Sequence, residues 1–212
     1  MGGVRFDWWE RIAGLRERIG ACAFVRTLAD GTLHRDAFVW YLTQDAFYLR
    51  AYAPVLAAAA SLAPSAAERD FWASSADSTI AVELAMQERW LAGGDPAAAV
   101  PSATTTAYLD HLRAAADAGD YDPLVAAVLP CYWLYADIGL RLRAAATPGH
   151  PYAGWLRTYG DPGFAAATRR AVGVVKRRFT RADEPTRTRM WAAFRTSAEH
   201  ELAFFDAPLL RR

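Results

Sequence analysis

Apolar side chains return every third or fourth residue along nearly the whole chain, and no run of alternating apolar residues bounded by hairpin signals interrupts them. That spacing is the period of one helix face and not of a strand. The clearest stripe is Phe38, Tyr41, Leu42, Asp45, Tyr48, Leu49 and Tyr52, which predicts a helix from Arg35 to about Ala60 with a kink at Pro54. Trp8, Ile12, Leu15 and Ile19 predict another, with Asp7 as its N-cap, and Ala23 to Leu28 a third, stopped by Asp30-Gly31. Ser65 to Ala92 reads as one long helix ended by Gly93-Gly94. Helices are then expected at about 103–118 and about 122–145, the latter opened by Asp122-Pro123. After a turn at Thr147-Pro148-Gly149-His150-Pro151, shorter helices should cover about 152–159 and about 161–180, and a last one runs from Glu184-Pro185 to about Phe205. The expected class is all-α, a single-domain helical bundle of about seven to nine helices over residues 1–212.

Composition narrows the function classes. A chain of 212 residues that is 53% hydrophobic can fill a substantial core. Lys and Arg total 24 against 23 Asp and Glu, which gives no electrostatic reason to expect nucleic acid or an anionic membrane as a partner. The first residues lack the apolar core and small-residue cleavage pattern of a signal peptide, and no run of about eighteen uncharged apolar residues follows. The expectation is therefore a cytoplasmic protein in which Cys22 and Cys131 are free thiols.

Three titratable side chains fall where the helical period calls for an apolar one. Asp45 lies between Tyr41, Leu42 and Tyr48, Leu49. Cys131 follows Leu124 and Val128 and precedes Tyr135 and Ile138, beside Pro130, which leaves the carbonyl of Ala126 without its usual helical donor. Glu201 interrupts the stripe Trp191, Phe194, Ala198 and Phe205. An isolated buried carboxylate costs several kcal/mol, so it is either paired or protonated. A protonated glutamate is a competent general acid, a cysteine is a nucleophile once activated, and a buried aspartate can accept hydrogen bonds from an amino-heterocycle. Each also has a plain structural reading: Cys131 as a small hydrophobe, Asp45 bonded to tyrosine hydroxyls, Glu201 paired with Arg195 or another arginine.

Metal chemistry finds little support. The residues three before His34, His111, His150 and His200 are Gly31, Tyr108, Thr147 and Ser197, so the Glu-x-x-His pairs of di-iron bundles are absent. Glu83 and Gln87 form only a degraded ligand pair, and neither cysteine has a zinc partner at ligand spacing.

The segments Asp30-Gly31-Thr32-Leu33, Tyr41-Leu42-Thr43-Gln44-Asp45-Ala46-Phe47-Tyr48-Leu49, Leu129-Pro130-Cys131-Tyr132-Trp133-Leu134-Tyr135 and Pro148-Gly149-His150-Pro151-Tyr152 stand in an informative order. With Trp155, Tyr159-Gly160, and Phe194, Ser197, Glu201 and Phe204, this order resembles the TenA proteins, also called thiaminase II or aminopyrimidine aminohydrolases, of heme-oxygenase-like fold. The resemblance implies hydrolysis of 4-amino-5-aminomethyl-2-methylpyrimidine, with thiamin a poorer substrate, to hydroxymethylpyrimidine for thiamin salvage. It implies Cys131 as nucleophile, Glu201 as acid at a ring nitrogen, and Asp45 at the aminopyrimidine edge. Tyr48, Tyr108, Tyr135 and Tyr159 would orient substrate, thiol and water. It further implies no metal or organic cofactor and a homotetramer. Phe47 stands where the family often has a second tyrosine, and His200 stands where a tyrosine commonly precedes the acid. Two other readings stay open: the same pocket acting on a different amine, and a non-catalytic pyrimidine-binding or regulatory protein. Asp137 and Glu83 are further candidates for functional contacts.

Overall fold

The computed structural model describes residues 5–86 and 99–210, without the side chains of residues 82–84 and 86. Gln87 and the Glu83 side chain, like the Gly93-Gly94 stop, thus lie outside the described residues. Among the described residues there are ten α-helices and no strand. They are α1 (Trp8–Arg11), α2 (Ala13–Ala21), α3 (Ala23–Asp30), α4 (Arg35–Leu62), α5 (Ala66–Met86), α6 (Ala103–Asp117), α7 (Tyr121–Leu142), α8 (Ala153–Tyr159), α9 (Pro162–Arg181) and α10 (Glu184–Leu210).

The apolar period dictates the packing. Leu124 to Leu129 are fully buried, which makes α7 the central rod, packed chiefly on α10 and flanked by α8 and α9. The leucines and valines among them each contribute roughly 1.5–3 kcal/mol on removal from water. α4 lies against α5 and α6. α7 is also long and apolar enough to cross a membrane, but most of that stretch is buried inside the bundle, as befits a core helix.

Helix ends follow local chemistry. Asp161 caps α9, its Oδ1 accepting from the amides of Gly163 (2.7 Å) and Phe164 (3.2 Å), with Pro162 at the first helical position. Gly31 ends α3 at φ 72°, a left-handed turn that glycine adopts without strain. Two of the sequence motifs meet at this turn. His150 Nε2 lies 3.1 Å from the Ala29 carbonyl, and the Tyr152 hydroxyl donates to the Leu33 carbonyl. The Asp30–Leu33 and Pro148–Tyr152 segments are thus one structural clasp.

Two details differ from the sequence reading. The first predicted helix is two, broken at Ile12 (φ −98°, ψ 15°), and the Asp7 side chain makes no capping bond. The fully buried Trp8 ring packs among Phe6, Phe179, Trp191 and Phe194, so tertiary burial overrides the continuous period. α4, by contrast, runs through Pro54 as one element.

α7 and α8 touch backbone to backbone. A Cβ at Gly139 would stand 2.1 Å from the Tyr159 carbonyl oxygen and 2.8 Å from the Gly160 nitrogen. No side chain can yield there, so Gly139→Ala must push α8 outward together with Tyr159. The expected cost is about 1–3 kcal/mol. A denaturant midpoint unchanged from the native protein would contradict this close approach.

Candidate active site

The helical period puts Tyr41, Asp45, Tyr48 and Tyr52 on one face of α4, and Cys131 and Tyr135 on one face of α7. α6 supplies Tyr108, α8 Tyr159 and α10 Glu201. All seven of the sequence candidates except Cys131 are buried. Cys131 is half-buried, because its side chain opens onto a cleft.

A chain of hydroxyls connects the groups. Tyr48 donates to the Tyr108 hydroxyl (3.4 Å), and Tyr108 donates to Glu201 Oε1 (2.8 Å). Tyr41 and Tyr135 share a 2.8 Å bond. The Tyr48 and Tyr52 hydroxyls both act on the Cys131 thiol so as to favour its charged form, and Tyr52 donates its proton to the Val128 carbonyl (2.7 Å), one turn before the thiol. Arg195, the sequence-level partner for Glu201, instead pairs with Glu199.

Burial governs the ionisation of this cluster. It pushes the Glu201 carboxyl up to about 8 against the Tyr108 hydrogen bond, and the Asp45 charge adds to the rise. The carboxyl is consequently protonated at neutral pH. Burial also raises the Cys131 thiol well above its ordinary value, and Glu201 and Asp45 push it further while Tyr48 and Tyr52 oppose them. The sulfur, the acid and the aspartate therefore sense one another's charge and belong to one cluster.

The cleft has a volume of about 890 Å³. Cys131, Tyr52, Tyr159 and Leu49 line one part of it, Phe71, Tyr132 and Phe164 form an aromatic wall, and helix α5 lends Ser74, Ser75, Ser78 and Thr79. Of the sequence candidates only Cys131 and Tyr159 line it; Asp45, Tyr48, Tyr108, Tyr135 and Glu201 belong to the buried network and not to the cleft wall.

Two residues outside the sequence candidates shape the site. Tyr52 acts on the thiol and holds the backbone of α7, and it stood on the Asp45–Tyr48 stripe, one turn further along. Gln44 is buried, accepts from the Ser102 amide (2.8 Å) and the Thr105 hydroxyl (2.7 Å), and donates to the Val100 carbonyl. It thereby pins the start of α6, one turn before Tyr108. His200 stacks on the Tyr108 ring (5.1 Å, 13°), and His111 bonds Ser197 (2.9 Å), so these imidazoles brace α6 against α10. Asp137 bridges Arg16 (3.5 Å) and Arg141 (2.8 Å) and does not line the cleft. Among the described residues no three His, Cys, Asp or Glu side chains gather as metal ligands would.

Residues 9–211 match the model of the TENA/THI-4/PQQC family. The chain belongs to this family. A thiamine biosynthesis multifunctional protein ThiED of Corynebacterium efficiens is 42% identical over 93% of this chain, which spans only 27% of that relative's length. An aminopyrimidine aminohydrolase of Bacillus subtilis is 30% identical, over 94% of this chain and 84% of its own. Among solved structures, a TenA family transcription regulator from a Silicibacter species superposes with a TM-score of 0.85 at 28% identity, covering 95% of this chain and 94% of that one. A domain with a heme oxygenase-like fold from Shewanella denitrificans gives 0.72 at 13% identity, covering 96% and 90%. This member of the TENA/THI-4/PQQC family thus has the heme-oxygenase-like bundle that its motif order implied.

Proposed function

We propose that the protein is a cysteine-dependent aminopyrimidine aminohydrolase that converts 4-amino-5-aminomethyl-2-methylpyrimidine to the hydroxymethylpyrimidine and ammonia, for thiamin salvage in the cytoplasm. The observation that carries this reading is a buried, protonated Glu201 bonded to Tyr108 and through it to Tyr48, whose hydroxyl acts on the Cys131 thiol at the cleft wall. The Bacillus relative, named for this hydrolysis, supports it.

The pyrimidine enters the cleft against Cys131. The Tyr48–Tyr108 contact, at 3.4 Å, is long for a hydroxyl pair and is the member of the network that gives way to the ring edge. Asp45 accepts from the exocyclic amine, and Glu201 delivers its proton to a ring nitrogen. Protonation makes the ring electron-poor only as the reaction proceeds, so the acid acts on the transition state. The sulfur bonds to the activated ring as the thiol proton is released. The C–N bond at the methylene then breaks and ammonia departs with that proton. Water adds its oxygen to the methylene carbon, and the S–C bond breaks to restore the thiol, while the ring nitrogen returns its proton to Glu201. Tyr135 and Tyr159 orient thiol and water.

A homotetramer is the assembly we infer from the family resemblance. The test of function is incubation with the aminomethylpyrimidine, following both products. Equimolar ammonia and hydroxymethylpyrimidine are expected. Saturable binding without either product would make the protein a pyrimidine binder and end the hydrolase reading.

A further inference from the structure

The cleft is far larger than one pyrimidine. Volumes of ~300–1,000 Å³ take drug-sized ligands, and the 890 Å³ here lies at the upper end. Besides Cys131 and the aromatic wall, hydroxyl-bearing and charged residues line that space.

On the α5 side, Ser78 donates its hydroxyl proton to the Ser74 carbonyl (2.8 Å) and Thr79 donates to the Ser75 carbonyl (2.9 Å). These hydroxyls therefore offer lone pairs and no donor to the cleft. Arg157 of α8 and Arg170 of α9 also line the cleft. Arg157 has no ion pair among the described residues. Arg170 is held in place by a bond to the Ala67 carbonyl (3.0 Å) and by its guanidinium lying 4.8 Å from the Phe71 ring centre. That arrangement uses one of its donors and leaves the others. Asp161 is the one carboxylate lining the cleft among the described residues, and its Oδ1 is engaged by two backbone amides. This part of the cleft is thus net cationic, with donors concentrated on the α8–α9 wall.

We propose that this region is a leaving-group subsite for an amine bearing an anionic group, a carboxylate or a phosphate, met by Arg157 and Arg170. The inference rests on the hydrolase reading above, since it deepens the substrate class of the same site. The bond changes are those already described: the methylene C–N bond breaks, water supplies the new C–O bond, and the substituted amine leaves with a proton. Arginine suits this role because its planar fork presents paired donors to either oxyanion. Both arginines are exposed, so the attraction should weaken with salt.

Three N-substituted aminomethylpyrimidines of equal chain length, ending in a carboxylate, a phosphate or a hydroxyl, would be compared on the full-length native protein and on Arg157→Ala and Arg157→Glu. The native kcat/KM for the carboxylate or the phosphate should exceed that for the hydroxyl by about tenfold, the worth of one charge-assisted bond. Arg157→Ala should cut this ratio, Arg157→Glu should reverse it, and added salt should lower it only while the arginine is present. Which anion is preferred identifies the source. Equal kcat/KM for charged and hydroxyl-ended amines, or a preference that survives in Arg157→Glu combined with Arg170→Gln, would overturn the subsite. Failure of the underlying hydrolase reading looks different, because no amine, substituted or not, would then release the hydroxymethylpyrimidine. In that event calorimetry of the same three ligands on the Cys131→Ser protein decides the matter: a binding preference for the anions sustains the subsite, and equal affinities remove it.

Discussion

Cys131→Ser is expected to lower ammonia release from the aminomethylpyrimidine by on the order of 10³-fold or more while binding changes by less than about threefold. The exchange is close to isosteric, and Tyr48 and Tyr52 can act on a hydroxyl as they act on the thiol. What is lost is an atom able to form and then release a bond to an aromatic carbon. Serine is a poor substitute, because its hydroxyl is far less acidic than a thiol and no imidazole stands among the groups that act on this position to take its proton. Single-turnover kinetics with calorimetry on the same preparation separate the two effects. Undiminished turnover would exclude Cys131 as nucleophile.

Glu201→Gln should produce two large effects of opposite sign. The amide cannot deliver a proton, so kcat is expected to fall by about 10²–10⁴-fold with little change in KM. In the native protein turnover should also decline above about pH 8, as the carboxyl ionises, and the variant's residual activity should lack that limb. Stability moves the other way. The folded value of about 8 lies above the ordinary value of 4.5, so between these values the native state holds a proton that the unfolded chain has released. The contribution is therefore fully present below about pH 4.5 and is lost as the pH rises to about 8, at about 1.4 kcal/mol per pH unit, some 4–5 kcal/mol in all. Glutamine has no such slope, so the variant should gain on the native protein in denaturant midpoint as the pH rises from about 4.5 to about 8. Parallel pH profiles for the two proteins would mean that Glu201 is not held protonated.

The helical period made the class of fold readable in advance and singled out Asp45, Cys131 and Glu201, while Tyr48, Tyr108, Tyr135 and Tyr159 became candidates only through the family resemblance. Asp45, Tyr48 and Tyr52 share a face of α4, and Cys131 and Tyr135 share one of α7, because spacings of three and four leave no other arrangement. The meeting of those faces is a tertiary fact without a local signature. Nothing in the sequence says that Tyr108 reaches Glu201, that Gln44 anchors the α6 start, or that the cleft wall includes Cys131 and Tyr159 but not the acid. The clasp of Gly31 with His150 and Tyr152 carries the same lesson. Both segments looked like signatures of function, and both hold the α3 turn in place. The break at Ile12 was hidden because a continuous apolar period describes two tilted short helices as well as one straight one.

The company kept by the sulfur has a consequence for the life of the protein in a cell. Burial is the strongest influence on it and suppresses its charge, and the two carboxyl groups of Glu201 and Asp45 add to that against the opposing pull of two phenols. Thiolates, not thiols, attack peroxide and soft electrophiles, so a resting cysteine of this kind should react with iodoacetamide or hydrogen peroxide far more slowly than an exposed one at neutral pH. The molecule would then carry its most reactive atom in a dormant state that needs no reducing partner to protect it, and only an occupied pocket would wake it.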